Sequence, residues 1–479
     1  AGGYGPRVAG LALALCLQAC GDAGSSSTPE DTTTSGDTHL PVGIPSTYEF
    51  SSASYRGQVQ RQTLILELKG YIAGLTGRID AGSFEPVSVD EVVDTLDFYF
   101  RFDGESDGET PLTITAEPPL AEASFNDIAS KDLVSKLAGN DPATDHKCWA
   151  VSEDCVASEL VGWPGISSPE SLVTLFFTMI GDNAVKRANG ELNWDVHLTA
   201  EGHDLNQLVE KFLNVAITFS QGVDDYLDSD VEGKGLHASN EPVEGVEYTD
   251  LAHAWDEGFG YFGAARDYGD YTDEEIAQKG GREDWQGYHD TNSDGLVSLL
   301  SEYNLGASVN AAKRDLGSAQ SAPTDFTQDV FDAFVAGRAL IHHNPGPLND
   351  EQMGVLEGHR DTIVLGWEKV YAATVIHYLN EVLGDMATIE TDDYDFARHA
   401  KHWSEMKGFA LGFQFNPRSP LSDDDFAAFH DHVGTAPVLE DVTALEAYKA
   451  DLLAARGLLR DAYGFEPDNL GDDDGQGGW

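Results

Sequence analysis

The chain predicts an all-α protein. Long segments repeat apolar residues at three- and four-residue intervals, convincing period-two runs are few, and Asp or Ser stands just before several of the segments. At about 150 residues per domain, 479 residues allow up to about three domains, although one large helical unit fits as well.

The predicted helices run in order. Gln58 to Leu75 places Leu64, Leu68, Ile72 and Leu75 on one face, and Ser88 to Phe100, Pro169 to Ile180, Leu205 to Phe219 and Tyr248 to Tyr261 follow. The later half adds Asp325 to Ile341, Asn349 to Leu383, Asp393 to Phe413, Asp423 to Val433 and Leu439 to Tyr463. Ser168-Pro169-Glu170 and Ser422-Asp423 read as helix starts, because a short oxygen side chain satisfies free N–H groups of the first turn. Asn344-Pro345-Gly346-Pro347 is a break, and long helices joined by loops suggest antiparallel bundles. Asp103 to Thr113 reads as an exposed acidic loop, and residues 466–479 read as a disordered acidic tail.

Residues 1–20 read as a targeting leader: Arg7 precedes the apolar run Val8 to Leu17, and Leu17-Gln18-Ala19-Cys20 closes it. Leu, Ala and Cys at those positions resemble a bacterial lipobox, which makes Cys20 the lipidation site and the lipid the only contact with a membrane. Residues 21–44 are rich in Gly, Ser, Thr and Asp and form a flexible tether, because that composition buries no core. Gly21 after Cys20, rather than Asp, favours sorting to the outer membrane. Cys148 and Cys155 then form a local disulfide in an oxidising compartment.

The charge balance excludes one class of partner. Lys and Arg number 28 against 83 Asp and Glu, a formal net of −55, so the clustered cations that nucleic acid demands are missing. With 41% hydrophobic and 10% aromatic residues the chain still has the composition of a folded protein. The acid is either a halophilic coat, hydrated and screened by salt, or a means of gathering cations.

Local spacing separates ligands from coat. Asp290-Thr291-Asn292-Ser293-Asp294-Gly295 puts oxygen side chains at alternate positions and Gly at the sharp turn, as a calcium loop requires. The expected structural Ca²⁺ ligands are Asp290, Asn292, Asp294, Leu296 through its carbonyl, and Glu302. Val297 sits at the apolar eighth position, while the closing acid comes one residue later than in an EF-hand. Two predicted helices carry a His followed three residues later by an acid, which places both on one face. His253 pairs with Asp256, with Glu257 beside it, and His402 pairs with Glu405, with His399 one turn earlier. Imidazole plus carboxylate suits iron or another transition metal. The same pattern also serves a core histidine hydrogen-bonded to its neighbouring acid. His-Glu-x-x-His, Gly-x-Ser-x-Gly and a phosphate-cradling Gly-rich loop are absent.

Tyr48-Glu49-Phe50, Ser54-Tyr55-Arg56-Gly57-Gln58, His253 to Gly263, Ser301-Glu302-Tyr303-Asn304, Asn310 to Asp315 and His402 to Phe409 resemble an uncharacterised bacterial lipoprotein family, domain of unknown function 4856. That family is similar in turn to the imelysin-like helical lipoproteins, whose signature is Gly-x-His-x-x-Glu. His402 and Glu405 match its end, with Ala400 at the Gly position. The resemblance implies two related bundles over residues 45–465, dividing roughly at 230–320, with the calcium-type loop as an insertion. It also implies a non-catalytic, lipid-anchored envelope protein that binds metal in iron acquisition. A peptidase, or a scaffold for an outer-membrane receptor or other envelope protein, is the alternative.

Overall fold

The computed structural model describes residues 44–147, 149 and 160–479. The leader with its lipidation residue Cys20, most of the tether, and the pair Cys148 and Cys155 lie outside the described residues. Those described are all-helical: thirteen α-helices with short 3₁₀ and π turns, and no strand beyond isolated bridges.

The first half contributes α1 (Arg56–Ala73), α2 (Leu75–Asp80), α3 (Val89–Phe100), α4 (Pro169–Ala188), α5 (Leu205–Leu213) and α6 (Asp250–Phe262). The second contributes α7 (Asp273–Ile276), α8 (Gly306–Gly317), α9 (Phe326–His343), α10 (Asp350–Met386), α11 (Phe396–Ala410), α12 (Asp423–Val433) and α13 (Val442–Tyr463). The start signals act as their chemistry dictates. Ser168 accepts from the Ser171 N–H with Pro169 in the first turn, Ser422 accepts from Asp425, and Asn349 with Gln352 closes a reciprocal cap. Gly263 ends α6 at φ 85°, a left-handed conformation that a side chain would strain.

Helix α10, 37 residues long, is the central beam, with α8, α9, α11 and α13 packed along it. Trp367 on α10, Trp255 on α6 and Trp403 on α11 are fully buried. Each such side chain contributes upwards of about 2 kcal/mol by leaving water. Trp367 meets Phe219 and Phe262 edge-on, and Trp255 donates its indole N–H to the Phe334 carbonyl. α1 packs on α3, α5 and α6, and α5 packs on α11, so contacts run from early to late helices and the described residues cluster as one unit.

Besides the short helices α2 and α7, which were not expected, the structure departs from the expected elements in three places. Helix α8 escapes the pattern because Ala307, Ala311 and Ala312 form its buried face, and alanine gives a faint apolar signal. The helix expected over Leu205 to Phe219 is α-helical only to Leu213, then runs through π turns at Asn214–Phe219 and Gly222–Tyr226. There Thr218 donates its hydroxyl to the Asn214 carbonyl and Asn214 donates its amide to the Glu210 carbonyl, side-chain bonds that compete with the regular ladder. The tail expected to be disordered folds back instead. Trp479 is buried against Phe326 and Phe465, and Arg456 donates to the Leu470 and Asp472 carbonyls. The buried Trp479 supplies enough apolar area to fix an otherwise polar segment. Among the described residues, no helix is long and apolar enough to cross a membrane.

Candidate functional site

The two His-x-x-acid helices end in different surroundings. On α6, Asp256 is fully buried and saturated: Oδ1 accepts from Tyr48 at 2.7 Å and from Arg338 Nε at 2.8 Å, and Oδ2 from the Ser54 N–H at 3.3 Å. Burial pushes its carboxyl up, against the opposing pull of Arg338 and Tyr48. His253 lies near the surface, stacked on Tyr248, with its Nε2 3.8 Å from Glu257, which in turn accepts from Gln58. His253 and Asp256 share a helix face but no partner.

On α11 the groups are buried and their partners incomplete. His402 Nδ1 is 2.7 Å from Asp385 on α10, which also accepts from Arg398. Burial would raise the Asp385 carboxyl, yet the bonds from His402 and Arg398 prevail and hold it below the usual range. In the tautomer that donates from Nδ1, Nε2 keeps its lone pair free. His399 is buried, with Nδ1 on the Tyr394 hydroxyl, no partner at Nε2, and a pKa brought down to about 4 by burial. Glu405 accepts from the Tyr378 hydroxyl at 3.1 Å through Oε1, while its buried Oε2 has no partner.

Around Glu405 a buried polar cluster forms from side chains of α1, α5, α10 and α11. Lys69 from α1 and Lys211 from α5 each reach Glu210 Oε2 at 2.7 Å, and Lys211 stands 3.8 Å from Glu405. Burial would raise Glu210, but Lys211 and Lys69 outweigh it and bring the carboxyl down to about 2. Lys313 and Arg314 come from α8. Burial and then repulsion from Lys211, Arg314 and Lys69 bring Lys313 down to about 8. Lys69, Glu210 and Lys211 fall in no motif of the sequence, and Lys313 and Arg314 occur there only within the family segment Asn310 to Asp315. Adjacent Lys313-Arg314 after two alanines, in a chain with so few cations, was the available signal.

The calcium-type loop holds its own backbone. Asp290 accepts from the N–H groups of Asp294 and Gly295, Asn292 from Asp294, and Asp294 from Leu296. Glu302 closes the loop by accepting from Thr291 and Ser298. Ser293 at φ 60° and Gly295 at φ 85° make the turn, and Val297 exchanges backbone hydrogen bonds with Pro119 and Ala121. Among the described residues, no three or more His, Cys, Asp or Glu side chains converge in a way that could hold a metal ion.

A model of the family described as Domain of unknown function (DUF4856) matches residues 177–428, a span that holds α5 to α11 and the whole of the Glu405 cluster except Lys69. Nothing among curated proteins or solved structures matches the chain. The match takes in more than half of the sequence, and the chain therefore belongs to the DUF4856 family.

Proposed function

We propose that this protein is a non-catalytic, lipid-anchored envelope protein that binds iron or another transition metal for acquisition, at the buried polar cluster of α10 and α11. One observation carries the reading. Asp385 holds His402 through Nδ1 at 2.7 Å, and one turn later the buried Oε2 of Glu405 is without a hydrogen-bond partner among the described residues. A carboxylate that orients an imidazole through its other nitrogen is the usual support of a metal-ligating histidine. His402 and Glu405 are the proposed ligands, with His399 in reserve. Asp256, already taken by Arg338 and Tyr48, keeps a structural place in this reading, and His253 and Glu257 pair with each other.

The imelysin-like arrangement of two related bundles belongs to the same proposal, supported by one His-x-x-acid helix in each half. So does attachment through Cys20, supported by the leader residues alone. Titrating iron or copper into the purified chain tests the site. His402→Ala and Glu405→Ala are expected to weaken binding, and unchanged stoichiometry and affinity in both sinks it.

A structural Ca²⁺ at the Asp290 loop is a separate reading, favoured by Val297, whose backbone pairing with the Pro119 to Ala121 segment ties the loop to the core. Added Ca²⁺ is expected to raise the melting temperature of the parent chain and to leave the Asp290→Ala plus Asp294→Ala variant unchanged. A parent indifferent to Ca²⁺ rules it out.

A further inference from the structure

Glu405 already has a cation beside it. Its Oε1, which accepts from Tyr378, lies 3.8 Å from the Lys211 ammonium, and Lys211 makes a closer pair with Glu210 Oε2 at 2.7 Å. Lys69 holds the same Glu210 oxygen at 2.7 Å and makes no ion pair with Glu405 among the described residues. Of the two lysines, Lys211 is thus the one that stands between both glutamates. Packing fixes its root. Gly408, three residues beyond Glu405 on α11, lets α5 come close, since a Cβ at that position would stand 2.7 Å from the Lys211 Cβ. The tip is freer, because the ammonium is a compact charge on a flexible four-carbon stem. From that root Nζ can stay on Glu210 and still draw away from Glu405. A metal ion accepted by Oε2 meets this ammonium across one carboxylate, and Glu405 is buried, so little water screens the two like charges.

We propose that Lys211 is the resident counter-cation of Glu405 in the metal-free chain and a gate to the site, withdrawing onto Glu210 when His402 and Glu405 take a metal ion. The inference rests on the metal reading and adds to it a residue that opposes binding. An internal competitor keeps affinity moderate, which suits a protein that must hand its cargo on. Glu210 serves as the second seat, and Lys69 keeps that carboxylate paired if Lys211 is lost.

Titration of iron or copper into the full chain by calorimetry, parent against Lys211→Met and Lys69→Met, tests this. Methionine keeps the apolar stem and removes the charge, and each variant leaves Glu210 one lysine. Lys211→Met is expected to bind metal about ten-fold more tightly than the parent, and Lys69→Met, which touches Glu210 only, to differ by about two-fold at most. The sign separates a gate from a structural lysine, whose loss would loosen the site and weaken binding. If Lys211→Met fails to fold, Lys211→Gln carries the same test. Metal bound by the parent with equal or lower affinity in Lys211→Met overturns the inference and leaves the metal reading standing. Equal tightening in both variants overturns it too, since the effect then belongs to the general field and not to the contact with Glu405. Metal bound by none of the three chains overturns the metal reading and the inference with it.

Discussion

Helices α6 and α11 carry the same spacing, histidine then acid three residues on, and the fold treats them in opposite ways. On α6 it brings Arg338, Tyr48 and Ser54 to Asp256 and gives both carboxylate oxygens a donor. On α11 it buries Glu405 with one bond made and one oxygen idle. Spacing determines that two side chains share a face. Whether they act as structure or await a ligand depends on what the neighbouring helices bring, and a saturated group has nothing left to offer.

The sharpest way to break the comparison is to remove the partner on the α6 side. Arg338→Ala leaves Asp256 buried without its cation, and the expected cost is about 3–5 kcal/mol, read from urea unfolding. A loss under about 1 kcal/mol would mean that Asp256 is not held as a structural ion pair.

Acid separates the regions next. His399 takes a proton at its ordinary pKa of 6.5 in the unfolded chain but only near pH 4 in the folded one. The unfolded state therefore binds more protons between those values, and stability falls as pH drops through the window, by at most about 3 kcal/mol. His399→Asn is expected to flatten that part of the pH–stability curve. A curve of unchanged slope would place the titration elsewhere.

Glu405→Gln should be the mild counterpart of Arg338→Ala. The amide oxygen still accepts from Tyr378, so stability is expected to change by about 1 kcal/mol, while ligand binding suffers. A loss as large as that of Arg338→Ala would make Glu405 structural and remove the contrast. The smallest effect is expected at the surface. Lys449→Gln breaks only the exposed pair with Asp474 and should change stability by less than about 1 kcal/mol, checked by the same unfolding.

Much of the fold was legible in the chain because amphipathic helices announce themselves by period, and α1, α3, α4, α6 and α9 to α13 all lie where apolar spacing and capping residues put them. α8 was not, since its buried face is alanine, and with it went Lys313 and Arg314. The His402–Glu405 pair was legible as a pair. Its cationic surroundings were not, because Lys69, Lys211, Lys313 and Arg314 come from helices distant in sequence.

By itself, then, the sequence determined that the protein is all-α and where most of its helices begin, because periodicity and caps are local properties. Only the tertiary structure decided which carboxylate is satisfied and which is idle, and that Lys69 and Lys211, from helices distant in sequence, meet at Glu210. Hydrogen bonds and Coulomb interactions act over a few ångströms, and it is packing, not order along the chain, that sets which groups come that close.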